Sequence, residues 1–301
     1  MVLGIILHCQ QQGKFGTHSG MYMPFETVFY VFALLLGLCI GSFLNVVAWR
    51  VPLGRSIVRP GSRCPSCGSD IRWHDNIPVI SWLVLGAKCR DCGGRISARY
   101  PLTEAATGLL FLAAALFRGP GVPFARDAVF LSLLVVTVRT DLDHWIVLDE
   151  VSLGGTAAGL LFSLAPGGAG IVPSAAAALG GFLLFFLIRL VAGMVLKGRP
   201  GYAIAPEGHE HEAEEFSAGM GWGDIKLAAC IGAFLGPGPT AVAFFLAFLA
   251  GALIGGSLIL FRGRSRRIPI PFGPFMALGA SVSLFFGAAI LNWYLDLWGM
   301  R

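Results

Sequence analysis

The sequence predicts an all-α polytopic membrane protein of about eight transmembrane helices, with a small four-cysteine insert between the first and second helices. Three observations predict it. Hydrophobic residues make up 55% of the 301 residues and charged residues 13%, about half the charge of a typical soluble domain. Apolar runs near the length that crosses hydrocarbon, roughly 20 residues, recur along the chain. Four of the seven cysteines fall in two tight pairs inside the one long polar stretch. With a mean hydropathy of +0.74, this excludes intrinsic disorder, a solvated helical bundle and a disulfide scaffold.

In chain order, residues 1–24 lack the basic start and long apolar core of a signal peptide and read as a non-cytoplasmic segment. The first apolar run, 25–48, ends in "GLCIGSFLNVVAWRVP". Residues 49–100 change character: nine Lys/Arg, the paired cysteines, and several prolines and glycines form a polar insert. The remainder, 101–301, reads as a bundle of about seven helices, with apolar runs at 101–117, 126–147, 151–165, 174–196, 219–236, 240–261 and 272–295. Gly180, Gly181, Gly251, Gly255 and Gly256 are candidate points of close helix contact.

Basic residues orient the bundle. The insert, Lys197 and Arg199, and the Arg262–Arg267 cluster fall on one side; Lys14, Arg118, Arg126 and Arg301 fall on the other. The richer side is expected to be cytoplasmic, which puts both termini outside. The net charge of +5 is thus absorbed by topology and anionic headgroups, and no nucleic-acid partner is expected.

The insert reads "RCPSCGSDIRWHDNIPVISWLVLGAKCRDCGG". Cys64 and Cys67 form one pair and Cys89 and Cys92 the other, with 21 residues between the pairs. Each pair can offer two thiolates from one turn, and two turns can close a tetrahedral zinc site. Gly68, Gly93 and Gly94 suit such turns. Disulfides are disfavoured on a cytoplasmic side. Four protein ligands leave no open position, so the expected role is structural. Cys9, Cys39 and Cys230 stand apart, and His74 reads as a loop residue rather than a ligand.

Carboxylates at membrane depth are costly and usually functional. They occur in two places, "TVRTDLDHWIVLDEVS" with Asp141, Asp143, Asp149 and Glu150, and "GMGWGDIKLAACIGAFLG" with Asp224. With the sixth span starting near Gly219, Asp224 is expected five residues inside, about 8 Å deep. Gly219, Gly221 and Gly223 clear side chains before it, so that an extended backbone can approach. Two carboxylates at similar depth suit an aspartyl protease, one ionised as general base and one protonated to polarise the scissile carbonyl. The same aspartates also suit an ion or proton pathway in a transporter; spacing alone leaves both open. Arg139 and Lys226 each lie two residues from their aspartate, off its helical face.

Together these residues resemble the bacterial type IV prepilin peptidase family, the bifunctional leader peptidases/N-methyltransferases. The matching segments, in family order, are "GSFLNVVAWRVP", "CPSC…DNIPVISWL…CRDC…ISARYPLTEA", "DLDHWIVLDEVS", "GMGWGDIKLAACIGAFLG" with the GxGD motif shared with presenilin-like proteases, and "IPFGPFMALGA". The resemblance implies catalytic Asp141 and Asp224, with Asp143, Asp149, Gly221, Gly223 and Lys226 in supporting positions. Leu148 departs from the motif, which has proline there. The resemblance also implies prepilin and pseudopilin substrates, of pili and of type II secretion, each with a short basic leader. It implies cleavage after glycine at the cytoplasmic face of the bacterial inner membrane, then methylation of the new amino terminus by S-adenosylmethionine. Asn45, Glu104 and the insert are candidates for the donor's site only by position. Outside the motifs, "PEGHEHEAEEFSAG" reads as a solvated acidic loop able to attract a basic leader.

Overall fold

The computed structural model describes residues 24–196, 220–262 and 270–299. The acidic 207–215 loop, Gly219, residues 1–23 and most of the Arg262–Arg267 cluster lie outside them. The elements are α1 (Phe25–Arg50), a 3-10 turn (Trp73–Asn76), α2 (Ile80–Val84), α3 (Arg99–Arg118), α4 (Val122–His144), α5 (Asp149–Ser163), α6 (Ile171–Leu196), α7 (Trp222–Leu235), α8 (Pro237–Arg262) and α9 (Gly273–Leu297). Among the described residues the only β pairing is two isolated bridges in the insert, Arg63 with Asp70 and Lys88 with Arg95. α1 runs two residues past the expected boundary and α3 begins two before it, so the insert is residues 51–98.

Each of the eight apolar runs falls on a helix. Five of those helices, α1, α3, α6, α8 and α9, are long and apolar enough to cross a membrane. The other three fail for different reasons. α4 has 23 residues but carries Arg126, Asp127, Arg139, Asp141 and Asp143. α5 and α7 have 15 and 14 residues, about 21–23 Å at 1.5 Å per residue. Beyond Lys226, α7 is apolar on every face because it is covered on every face: Leu227, Ala228, Cys230 and Ile231 are fully buried, with α5, α6 and α9 packed around the helix.

Close seams are built on small residues. A Cβ on Gly37 would lie 2.8 Å from Gly108 Cα, and one on Gly41 2.7 Å from Glu104 Cα, so α1 and α3 touch backbone to backbone. A Cβ on Gly181 would meet the Ala228 carbonyl at 2.7 Å, as expected of a contact point. Gly180 and Gly256 face open space, while Gly251 and Gly255 make ordinary contacts.

Ion pairs and hydrogen bonds show which helix ends share a face. Arg99 at the start of α3 pairs with Asp143 near the end of α4 at 2.8 Å. Lys226 in α7 pairs with Asp149 at the start of α5 at 2.6 Å. The N–H of Gly273, first residue of α9, donates to Asp141 Oδ2 at 2.8 Å. The insert therefore lies on the same face as the end of α4 and the starts of α3, α5, α7 and α9.

Candidate active site and metal centre

The insert folds around its cysteines as two matched turns. Gly68 N–H donates to the Cys64 carbonyl and Gly93 N–H to that of Cys89, both at 2.9–3.0 Å. Cys64 N–H donates to Ser69 O and Cys89 N–H to Gly94 O. Gly68 and Gly93 close the turns at φ +75° and +69°, where a Cβ is disfavoured. All four sulfurs lie within 4.8 Å of one another, and Cys64 Sγ is 3.8 Å from Cys92 Sγ. Four sulfurs at about 2.3 Å from one tetrahedral ion would stand about 3.8 Å apart, so the cluster fits a single metal ion and not two disulfides. Backbone N–H groups of Cys67 and then Ser66 pull the Cys64 thiol down from 9.0 to about 6, favouring the thiolate that binds metal. His74 stacks edge-on against Trp73 and is not among the clustered ligands.

Asp141 sits in the last turn of α4, which ends when Trp145 turns left-handed at φ +61° and donates its N–H to the Asp141 carbonyl. Its side chain is buried, at 6% exposure, and among the described residues it has no ion-pair partner. A Cβ on Gly273 would lie 2.6 Å from Asp141 Oδ2, so glycine there lets the α9 amide reach the carboxylate. Asp143 is neutralised by Arg99 and by Arg139, each at 2.8 Å. Asp149 is taken by Lys226. Neither Arg139 nor Lys226 forms an ion pair with Asp141.

Asp224 lies in the first turn of α7, whose cap is Gly221. The helix starts at Trp222 rather than near Gly219, so Asp224 is only two residues inside, not five: Gly221 is extended at φ −71°, ψ 153° and ends the helical geometry. A Cβ on Gly223 would lie 2.7 Å from Val147 Cβ. That contact seats the start of α7 on the α4–α5 turn, six residues beyond Asp141. Leu148, at the motif's proline position, is buried with φ −64°, the angle a proline ring imposes; the backbone keeps the proline geometry. Gly273 and Arg99 were not singled out by sequence reasoning, and Arg139 was weighed only against Asp141, whereas its partner is Asp143, four residues on. Gly273 lay in the quoted closing motif, but only the fold brings it to Asp141.

The fold and these sites define a class: an all-helical membrane protein with a buried carboxylate and a four-cysteine metal-type cluster on one face. Residues 35–117 match the Bacterial Peptidase A24 N-terminal domain, and residues 128–256 match the Type IV leader peptidase family. The chain is 40% identical to a prepilin leader peptidase/N-methyltransferase of Myxococcus xanthus (strain DK1622), over 83% of this chain and 69% of that protein. It is 33% identical to one of Aeromonas hydrophila, over 92% and 96%, and 32% identical to one of Bacillus subtilis (strain 168), over 87% and 96%. No solved structure matches. The chain belongs to the type IV leader peptidase family.

Proposed function

We propose that this chain is an intramembrane aspartyl endopeptidase. It removes the short basic leader from type IV prepilins and type II secretion pseudopilins, then methylates the new amino terminus. Asp141 and Asp224 are the dyad. Asp224 is assigned from its place in the GxGD motif, and the observation that carries the assignment of Asp141 is the different fate of the neighbouring carboxylates. Asp143 and Asp149 are held by cations, whereas buried Asp141, among the described residues, is held through Oδ2 by a backbone N–H alone. That bond fixes the carboxyl group and leaves Oδ1 to act on water or on the scissile carbonyl. One aspartate takes the proton of the attacking water while the other donates to the carbonyl oxygen, and the roles exchange as the intermediate collapses. Asp143, Asp149, Gly221, Gly223 and Lys226 shape the site without joining the proton transfers.

The basic insert supports a cytoplasmic orientation in the bacterial inner membrane with both termini outside; a basic leader would then stay on the side of the aspartates. Cys64, Cys67, Cys89 and Cys92 would hold one structural Zn2+. S-adenosylmethionine would supply an electrophilic methyl group. Asn45 Oδ1 is buried without a hydrogen-bond partner among the described residues, one turn along the α1–α3 seam from Glu104. These acceptors suit the donor's ammonium and sulfonium charges, and we assign them to it.

The test is cleavage of a purified prepilin by the purified protein in nanodiscs, with product mass read with and without the methyl donor. Wild type should release the leader and add a methyl group. Asp141→Asn and Asp224→Asn should release none while remaining folded; normal cleavage by either ends this reading.

A further inference from the structure

The insert carries an apolar surface that no described residue covers. Trp73 is 82% exposed, Ile80 57%, Leu83 63% and Val84 76%. Ile80, Leu83 and Val84 stand at i, i+3 and i+4, on one face of α2. The opposite side is tied inward. Ser81 Oγ donates to His74 O and accepts the Ile77 N–H, and Trp82 Nε1 donates to Ile96 O. The exposed face is therefore a fixed feature of a locally ordered fold.

Its height along the bundle is also fixed. Val79, immediately before α2, donates its N–H to Glu104 Oε2 at 2.7 Å. Glu104 lies five residues inside membrane-crossing α3, about 7.5 Å from its start. Val79 holds φ +62° in making this contact, a conformation that β-branched residues rarely adopt. One turn nearer the start of α3, Asn45 Nδ2 donates to the Tyr100 carbonyl at 3.2 Å and ties that turn to α1. α2 thus begins beside the first turns of a helix long and apolar enough to cross a membrane.

Charge agrees. Residues 51–98 hold seven Lys/Arg against three Asp, a positive surplus even after the two negative charges of four thiolates around one Zn2+. We propose that Trp73–Val84 is an interfacial anchor. Its apolar face enters the acyl boundary of an anionic leaflet, and the surrounding basic residues sit on the headgroups. The anchor would hold the cysteine cluster against the membrane surface beside the start of α3.

The test places 4-trifluoromethyl-phenylalanine singly at Leu83, Val84 and, as reference, exposed Asp70, in the full chain in phosphatidylglycerol nanodiscs. Fluorine relaxation by dissolved oxygen is compared with relaxation by a water-soluble nickel chelate. The Leu83 and Val84 probes should show an oxygen-to-nickel ratio at least about threefold that of Asp70, the ratio falling when phosphatidylcholine replaces the anionic lipid. A ratio equal to that of Asp70 overturns the anchor, as does shielding from both reagents, which means a protein covers the face. A ratio indifferent to lipid charge overturns the headgroup contact. None of these readouts depends on cleavage or methylation.

Discussion

At the scale of single residues, one backbone amide distinguishes Asp141 from its acidic neighbours. The Gly273 N–H reaches Oδ2 only because residue 273 has no side chain; a methyl group there would lie 2.6 Å from that oxygen. Gly273→Ala should therefore push α9 off the carboxylate and lose a charge-assisted hydrogen bond worth about 1.5–3 kcal/mol. This corresponds to roughly a 10–100-fold fall in kcat for prepilin cleavage. KM should change little, since the bond touches the acid and not the leader; steady-state cleavage of a fluorogenic prepilin peptide checks both. Asp143→Asn should act differently. It leaves Arg99 and Arg139 without their shared anion, which loosens the α3–α4 junction and lowers thermal stability while detectable cleavage persists. The motif aspartates were legible in the sequence, but the choice between Asp141 and Asp143 rested on motif alignment. Ion pairing separates the two residues: Arg139 stands four residues before Asp143, a spacing the sequence shows, whereas Arg99 is 44 residues from Asp143, a separation that helical spacing does not reveal.

At the scale of elements, hydrophobic runs and cysteine spacing exposed most of the architecture, because both are local signals. The runs located all eight bundle helices, and the CxxC pairs located the cluster. The start of α7 was misread because "GMGWGD" is apolar enough to extend a run, whereas the extended Gly221 cap sets the boundary. The α1–α3 seam was missed because Gly37, Gly41 and Gly108 look like the other glycines of a membrane helix until a partner backbone is present. The insert has almost no core of its own: Cys64 and Ser81 are its only buried residues. Metal should supply the order that packing does not. Stripping zinc with a strong chelator should raise the rate of tryptic cleavage between Arg55 and Arg95 by on the order of tenfold or more, while far-UV circular dichroism stays nearly unchanged because the bundle helices persist. Mass spectrometry of the fragments locates the cuts, and restored protection on adding back Zn2+ completes the test.

At the scale of the whole molecule, the end opposite the insert is held by an ionic knot. Asp127, in the first turns of α4, is fully buried. Its Oδ2 accepts from Arg118 Nε at 2.7 Å and its Oδ1 from Arg126 Nε at 2.9 Å. Arg118 also donates to the Leu284 carbonyl of α9 at 2.9 Å, and Arg126 to the Gly167 carbonyl after α5 at 3.2 Å. One carboxylate thereby joins the end of α3, the start of α4, the α5–α6 connection and the middle of α9. α4 and α9 run antiparallel, so the knot and the Gly273–Asp141 contact fix the same helix pair at two heights. Sequence reasoning assigned Arg118 and Arg126 to topology, since their common partner is visible only after folding. Removing one member of a buried ionic group leaves the others uncompensated, at a cost of about 3–5 kcal/mol. Asp127→Ala should therefore lower Tm markedly and reduce cleavage by letting α9 shift at Asp141. Replacing Arg118, Arg126 and Asp127 together with Met, Met and Leu should recover much of the lost stability, because no stranded charge remains. If the two heights are coupled through α9, recovery of Tm in the triple variant should restore cleavage in parallel. Restored Tm with cleavage still depressed would show that the carbonyl contacts to Leu284 and Gly167, rather than burial of the charge, set the position of α9.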